Sequence, residues 1–170
     1  MYPENNVINS KLINMTQVSN THCHRSRGDG NCFYRCFAFG LIRFLVERAT
    51  QAQRAEMKNR IKTCYEELVR DFGYPDFTTM DIHEMFDDVL GDIYQKIGGN
   101  LLPEQTLDEA LASYFNDQSY DNYIVSTFRF LTSLGLQKKQ DEYIHYLENF
   151  DAAGGMKGYS AFETYTKRLV

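Results

Sequence analysis

In Arg27-Gly28-Asp29-Gly30-Asn31-Cys32-Phe33-Tyr34-Arg35 a glycine-flanked polar turn delivers a cysteine to the first turn of an apolar helix. A helix N-terminus carries unpaired backbone N–H groups and about +0.5 of an elementary charge, so a thiolate placed there is favoured over the thiol. Gly28 and Gly30 permit backbone angles closed to other residues, and Asn31 or Asp29 can cap the helix that follows. The same N–H groups can hold a developing oxyanion beside the sulfur. Most free cysteines are small buried hydrophobes, but this setting points to a nucleophile.

Outward from the turn, apolar residues recur every three or four positions. Cys32 to Arg48 is expected to be a helix burying Phe33, Phe37, Leu41, Phe44 and Leu45. Gln51 to Phe72 repeats the pattern through Ile61, Cys64, Leu68 and Phe72 until Gly73 and Pro75 stop it, and the two helices are expected to pack as a hairpin. Thr78 with Asp81 resembles a capping box, opening a helix that buries Ile82, Met85, Phe86, Val89, Leu90 and Ile93 and ends at Gly98-Gly99-Asn100. Thr106 with Glu109 starts a shorter helix in the same way. Ser119 to Leu134 is another, with Gly135 as its stop, and Asp141 to Phe150 follows. After the Gly154-Gly155 break, Ser160 to Val170 begins one more helical pattern. Val7 to Val18, in a polar and irregular stretch, is a strand at most. The patterning alone describes a mostly α chain.

The 170 residues make one domain by length, and 43% hydrophobic with 24% charged residues is near the globular average. A net charge of −5 with no basic block longer than Lys138-Lys139 speaks against nucleic acid as a partner. No apolar run is long enough to span a membrane, and no signal-peptide pattern opens the chain. The expectation is a soluble chain of the cytoplasm or nucleus. Four cysteines, at 23, 32, 36 and 64, read as reduced thiols and not as a disulfide framework. His22, Cys23, His24, Cys32 and Cys36 offer enough nitrogen and sulfur for zinc, but their spacing matches no zinc-finger pattern, so neither metal nor cofactor is expected.

The run Asp29 to Arg35 resembles the nucleophile motif of the OTU cysteine proteases. Phe77-Thr78-Thr79-Met80-Asp81-Ile82-His83, Phe115-Asn116-Asp117-Gln118-Ser119, Asp121-Asn122-Tyr123-Ile124-Val125 and Phe130-Leu131-Thr132-Ser133 resemble the otubain branch, in the same order. The resemblance implies an α+β fold, the OTU-like cysteine protease fold, with a small sheet between helices. Most of that sheet would lie beyond Val170, so this chain is expected to be mostly helical, with apolar helix faces lacking their sheet. Its division would be an irregular N-terminal segment, 1–26, and a partial OTU domain, 27–170. The otubains' catalytic histidine lies in a Gly-His-Tyr-Asp-like strand near the C-terminus, and no histidine follows His145. The chain is therefore expected to be a fragment, a truncated splice form or a gene model with missing ends.

The implied activity is hydrolysis of isopeptide bonds at the C-terminus of ubiquitin, in polyubiquitin or conjugates. Cys32 would be the nucleophile. Asp29 would shape the loop at the oxyanion site, and Gly30 and Asn31 would contribute backbone N–H groups. Thr78 and His83 fall where otubains face ubiquitin or a ubiquitin-conjugating enzyme, which gives them a surface, binding role. Cys36 and Cys64 read as helix-face packing, and His145 as a satisfied interfacial histidine. Arg35 is open between a surface charge, a supporting charge and a substrate contact. A non-catalytic module that binds ubiquitin or its conjugating enzyme is the alternative.

Overall fold

The computed structural model describes residues 6–19, 26–97, 106–148, 162, 166, 167 and 170. It divides into two compact units, Met1–Cys32 and Phe33–Val170.

In the first unit, α1 (Asn6–Ser19) occupies the stretch expected to be irregular or a strand. It holds neither proline nor glycine, and its hydroxyls fold back along the helix: Ser10 Oγ donates to Asn6 O at 2.7 Å and Thr16 Oγ1 to Ile13 O at 2.8 Å. Such local bonds let serine and threonine sit in a helix whose backbone ladder remains intact.

The elements described in the second unit are all helices: the body of α2 (Cys32–Glu47), then α3 (Gln51–Phe72), α4 (Asp76–Ile97), α5 (Leu107–Asn116), α6 (Gln118–Lys138) and α7 (Gln140–Glu148). Two helices begin at capping boxes, the expected one at Thr106 and an unpredicted one at Thr50. Thr50 accepts from the Gln53 N–H while the Gln53 side chain accepts from the Thr50 N–H, and Thr106 with Glu109 repeats the arrangement. Gly73, at φ +67°, closes α3 in the left-handed conformation that glycine adopts without strain. Arg54 ties α3 to the end of α2 by donating to Leu45 O and Val46 O at 2.7 and 2.8 Å.

Two boundaries differ from expectation. The Pro75 carbonyl accepts the Thr79 N–H at 3.1 Å, so α4 starts at Asp76 and Thr78 is an exposed residue inside its first turn, not its cap. Gly135 does not stop α6. The helix runs on to Lys138 because Gln137 donates to Tyr74 Oη and Ser133 Oγ, both at 3.1 Å, and Lys138 pairs with Glu67. The Gly98-Gly99-Asn100 stop and the Gly154-Gly155 break lie outside the described residues.

The close backbone approaches of the core join α4 to α6, α3 to both, and α5 to α4 and α6. Tyr65, Phe86, Ile93, Leu111 and Ile124 fill the centre. Burying each such side chain contributes about 1.5–3 kcal/mol of transfer free energy. Buried polar pins fix the packing. Tyr65 Oη donates to Thr127 Oγ1 at 2.9 Å. Ser133 Oγ commits its one proton to Thr166 O at 2.9 Å, so Tyr74 Oη is the donor in the 2.6 Å bond between Tyr74 and Ser133.

On α2 the inward face is not the expected one. Arg35, Ala38, Ile42 and Leu45 are buried, Leu41 is half-buried, and Phe33, Phe37 and Phe44 are 68%, 55% and 45% exposed. The helix is apolar around most of its circumference, so periodicity could not select a face. Arg35 selects it by pairing with Asp121 of α6. On α3, Tyr65 is the buried residue and Cys64 is half-buried beside it.

Candidate active site at the start of α2

The turn before α2 is built by one side chain and one glycine. Asn31 N–H donates to Asp29 Oδ1 at 3.1 Å, an Asx turn that bends the chain two residues after the aspartate. Gly30, between them, sits at φ +84°, in the left-handed region where a Cβ is strained. Gly28 shows no positive φ, so of the two glycines Gly30 alone uses that freedom. The chain then enters α2 with Cys32 as its first helical residue, and its thiol is exposed. The Asp29 carboxylate thus closes the turn that leads into α2. Asn31 differs: its N–H, expected to face an oxyanion, is engaged by Asp29.

The other thiols separate by environment. Cys36, one turn further along α2, is exposed and not packed as expected. Cys64 is half-buried on α3, and desolvation, then the Glu67 carboxylate, pushes its thiol pKa up, which suppresses its thiolate. Among the described thiols, Cys32 alone combines exposure with the first residue of a helix.

His83 is buried at 5% exposure, edge-on to the Tyr65 ring at 5.2 Å between centroids, and its Nε2 has no hydrogen-bond partner. Its expected surface role is therefore corrected. The apolar stripe of α4 faces α3 and α6, and His83, three residues before Phe86, falls on it. Thr78 is exposed beside Phe77, which is 86% exposed. His22, Cys23 and His24, and the side chain of His145, lie outside the described residues. No group of three metal-ligating side chains converges among the described residues, and no described helix is long and apolar enough to cross a membrane.

Arg35 is where sequence reasoning stopped short. Its Nε and Nη2 donate to Asp121 Oδ1 and Oδ2, each at 2.8 Å, with side-chain exposures of 7% for Arg35 and 0% for Asp121. This is a bidentate, charge-assisted pair inside the core, which excludes a surface charge. Asp121 carried no sequence signal of its own beyond its place in an otubain-like segment. Around it, the Arg129 guanidinium lies over the Tyr34 ring at 5.7 Å and Phe37 meets Phe128 edge-on at 5.6 Å, so α2 rests on α6 through side chains.

The family model described as Peptidase C65 Otubain matches residues 1–166. The match includes the N-terminal segment, which sequence reading had left outside the resemblance. Among curated proteins, ubiquitin thioesterase OTUB1 of Homo sapiens is 31% identical over 147 residues, covering 86% of this chain and 50% of that protein. The ovarian tumor domain-containing deubiquitinating enzyme 1 of Arabidopsis thaliana is 32% identical over 117 residues, 69% of this chain and 36% of that protein. The otubain-like ubiquitin thioesterase of Caenorhabditis elegans is 30% identical over 122 residues, 72% and 39% respectively. The chain spans half or less of the length of these relatives. An exposed cysteine opening a helix, behind a left-handed glycine turn, stands within a match that runs from one end of the sequence almost to the other: this chain belongs to the otubain family of peptidases.

Proposed function

We propose that the protein is a deubiquitinating cysteine protease that hydrolyses isopeptide bonds at the C-terminus of ubiquitin, in polyubiquitin or conjugates, in the cytoplasm or nucleus. The observation that carries the reading is the exposed Cys32 at the start of α2, held behind the Asp29 to Asn31 turn in an otubain-family chain. Cys32 thiolate attacks the carbonyl carbon of ubiquitin's terminal glycine, and N–H groups at the Gly30 to Cys32 turn receive the oxyanion. The amine leaves with a proton from the general acid, and water releases the carboxylate from the thioester while regenerating the thiol. For Asn31 to serve the oxyanion, its N–H must leave Asp29 when substrate enters.

The base is a histidine in the family's C-terminal strand, and none of His22, His24, His83 and His145 matches it. The domain reading is a partial OTU domain over 27–170 of an α+β fold whose sheet lies outside the described helices. The exposed Phe33, Phe37 and Phe44 support it as a helix face that such a sheet would cover. Thr78 belongs to a surface for ubiquitin or a ubiquitin-conjugating enzyme. The second reading is a module that binds ubiquitin or that enzyme without turnover.

The test is intact-mass measurement after mixing the chain with ubiquitin bearing a C-terminal electrophile, beside Cys32→Ala. One adduct that disappears in the variant is expected. A folded wild-type chain that gives none overturns the enzyme reading for these 170 residues.

A further inference from the structure

We propose that Arg35 and Asp121 together position the nucleophile: the buried fork between them sets how α2 is turned on its axis, and with it the direction of the Cys32 thiol. The inference rests on the reading of Cys32 as nucleophile. Cys32 and Arg35 are three residues apart on one helix, neighbours one turn apart on its surface. Among the buried residues of α2, Ala38, Ile42 and Leu45 make apolar contacts, which tolerate rotation and sliding. The guanidinium–carboxylate pair does not, because two parallel 2.8 Å bonds fix the distance and the plane of each group. Its partner is 86 positions away in sequence, on α6, a helix packed against α3, α4 and α5. The helix is thereby tied to α6 at Arg35. An arginine is required for this, since lysine keeps the charge and loses the planar fork. Both side chains are buried, so the role proposed for them is positioning.

Cys36 supplies an internal reference, being exposed on the same helix one turn beyond. We would measure alkylation of Cys32 and Cys36 by iodoacetamide, separately by peptide mass mapping, in the wild type, in Arg35→Met/Asp121→Leu, and in Arg35→Lys. The double substitution replaces the pair with apolar groups of similar size and leaves no buried charge, so the fold is preserved; thermal unfolding checks this. Expected is a wild-type Cys32 at least tenfold faster than Cys36, a double variant in which Cys36 is unchanged and Cys32 falls to the rate of Cys36, and a lysine variant that falls at least fivefold. A wild-type Cys32 no faster than Cys36 overturns the nucleophile reading, and this proposal with it. A fast wild-type Cys32 that stays as fast in the folded double variant overturns the positioning role alone. Full retention by Arg35→Lys also overturns it, because charge without the fork would then suffice.

Discussion

Helices α4 and α2 both read as amphipathic in sequence, yet they took opposite relations to that reading. On α4, of the six expected residues Phe86, Val89, Leu90 and Ile93 are buried and Ile82 and Met85 half-buried, none exposed. On α2 three of the five expected core residues, Phe33, Phe37 and Phe44, are exposed, while an arginine is inside. The polar face of α4 is broad and charged, so one orientation alone satisfies it. The sequence CFYRCFAFGLIRFLVE has apolar residues on nearly every side, and many orientations bury similar area. A single specific polar contact, Arg35 with Asp121, then outweighs periodicity. Hydrophobic patterning chooses a face only where the opposite face objects to burial.

That contrast can be attacked directly. The largest effect is expected from Phe86→Ala on α4, which should lose about 3–5 kcal/mol in urea unfolding by creating a cavity at a fully buried site. Asp121→Leu alone should cost about 3–5 kcal/mol, since it strands the Arg35 charge in the core. The same substitution combined with Arg35→Met should recover most of that loss, and a double-mutant cycle measures the difference.

Tyr65→Phe should cost about 1–3 kcal/mol by leaving Thr127 Oγ1 short of a partner. It also carries a pH signature. Burial pushes the Tyr65 hydroxyl well above its ordinary range, so the folded chain keeps this proton where the unfolded chain has lost it. Its folded pKa is raised, so the stability it contributes is complete below about pH 10 and is lost as pH rises toward the folded value. Thermal melts from pH 8 to 11 should fall less steeply in Tyr65→Phe than in the wild type. Thr106→Ala should cost about 1 kcal/mol through loss of the α5 cap, read as a lower melting temperature. Smallest of all, Phe33→Ser on the exposed face of α2 should change stability by less than about 0.5 kcal/mol. A loss of several kcal/mol there would show that this face of α2 is packed, and the contrast with α4 would collapse.

Local chemistry was legible. Thr106 announced its helix because a capping box is satisfied within four residues, and Gly73 announced an end because its left-handed angle needs no distant partner; the box at Thr50 was equally local but went unread. The turn before Cys32 was legible for the same reason: Asp29, Gly30 and Asn31 close it among themselves. Gly135 misled, since a glycine ends a helix only if nothing beyond it packs, and Gln137 and Lys138 find partners on the Tyr74 hydroxyl and Glu67. His83 misled in the same direction, because a ring aromatic enough to lie against Tyr65 can occupy a core position that its polarity disguises.

By itself the sequence determined that this chain is largely helical, where most of its helices start, and that Cys32 opens one of them behind a glycine turn. These depend on interactions spanning a few residues, and the residues in question are adjacent in the chain. Only the tertiary structure decided which side of α2 is buried, that His83 is interior, and that Arg35 answers to Asp121. Each of those depends on a group far away in sequence, and the energy of a buried pair is known only once both partners are in place.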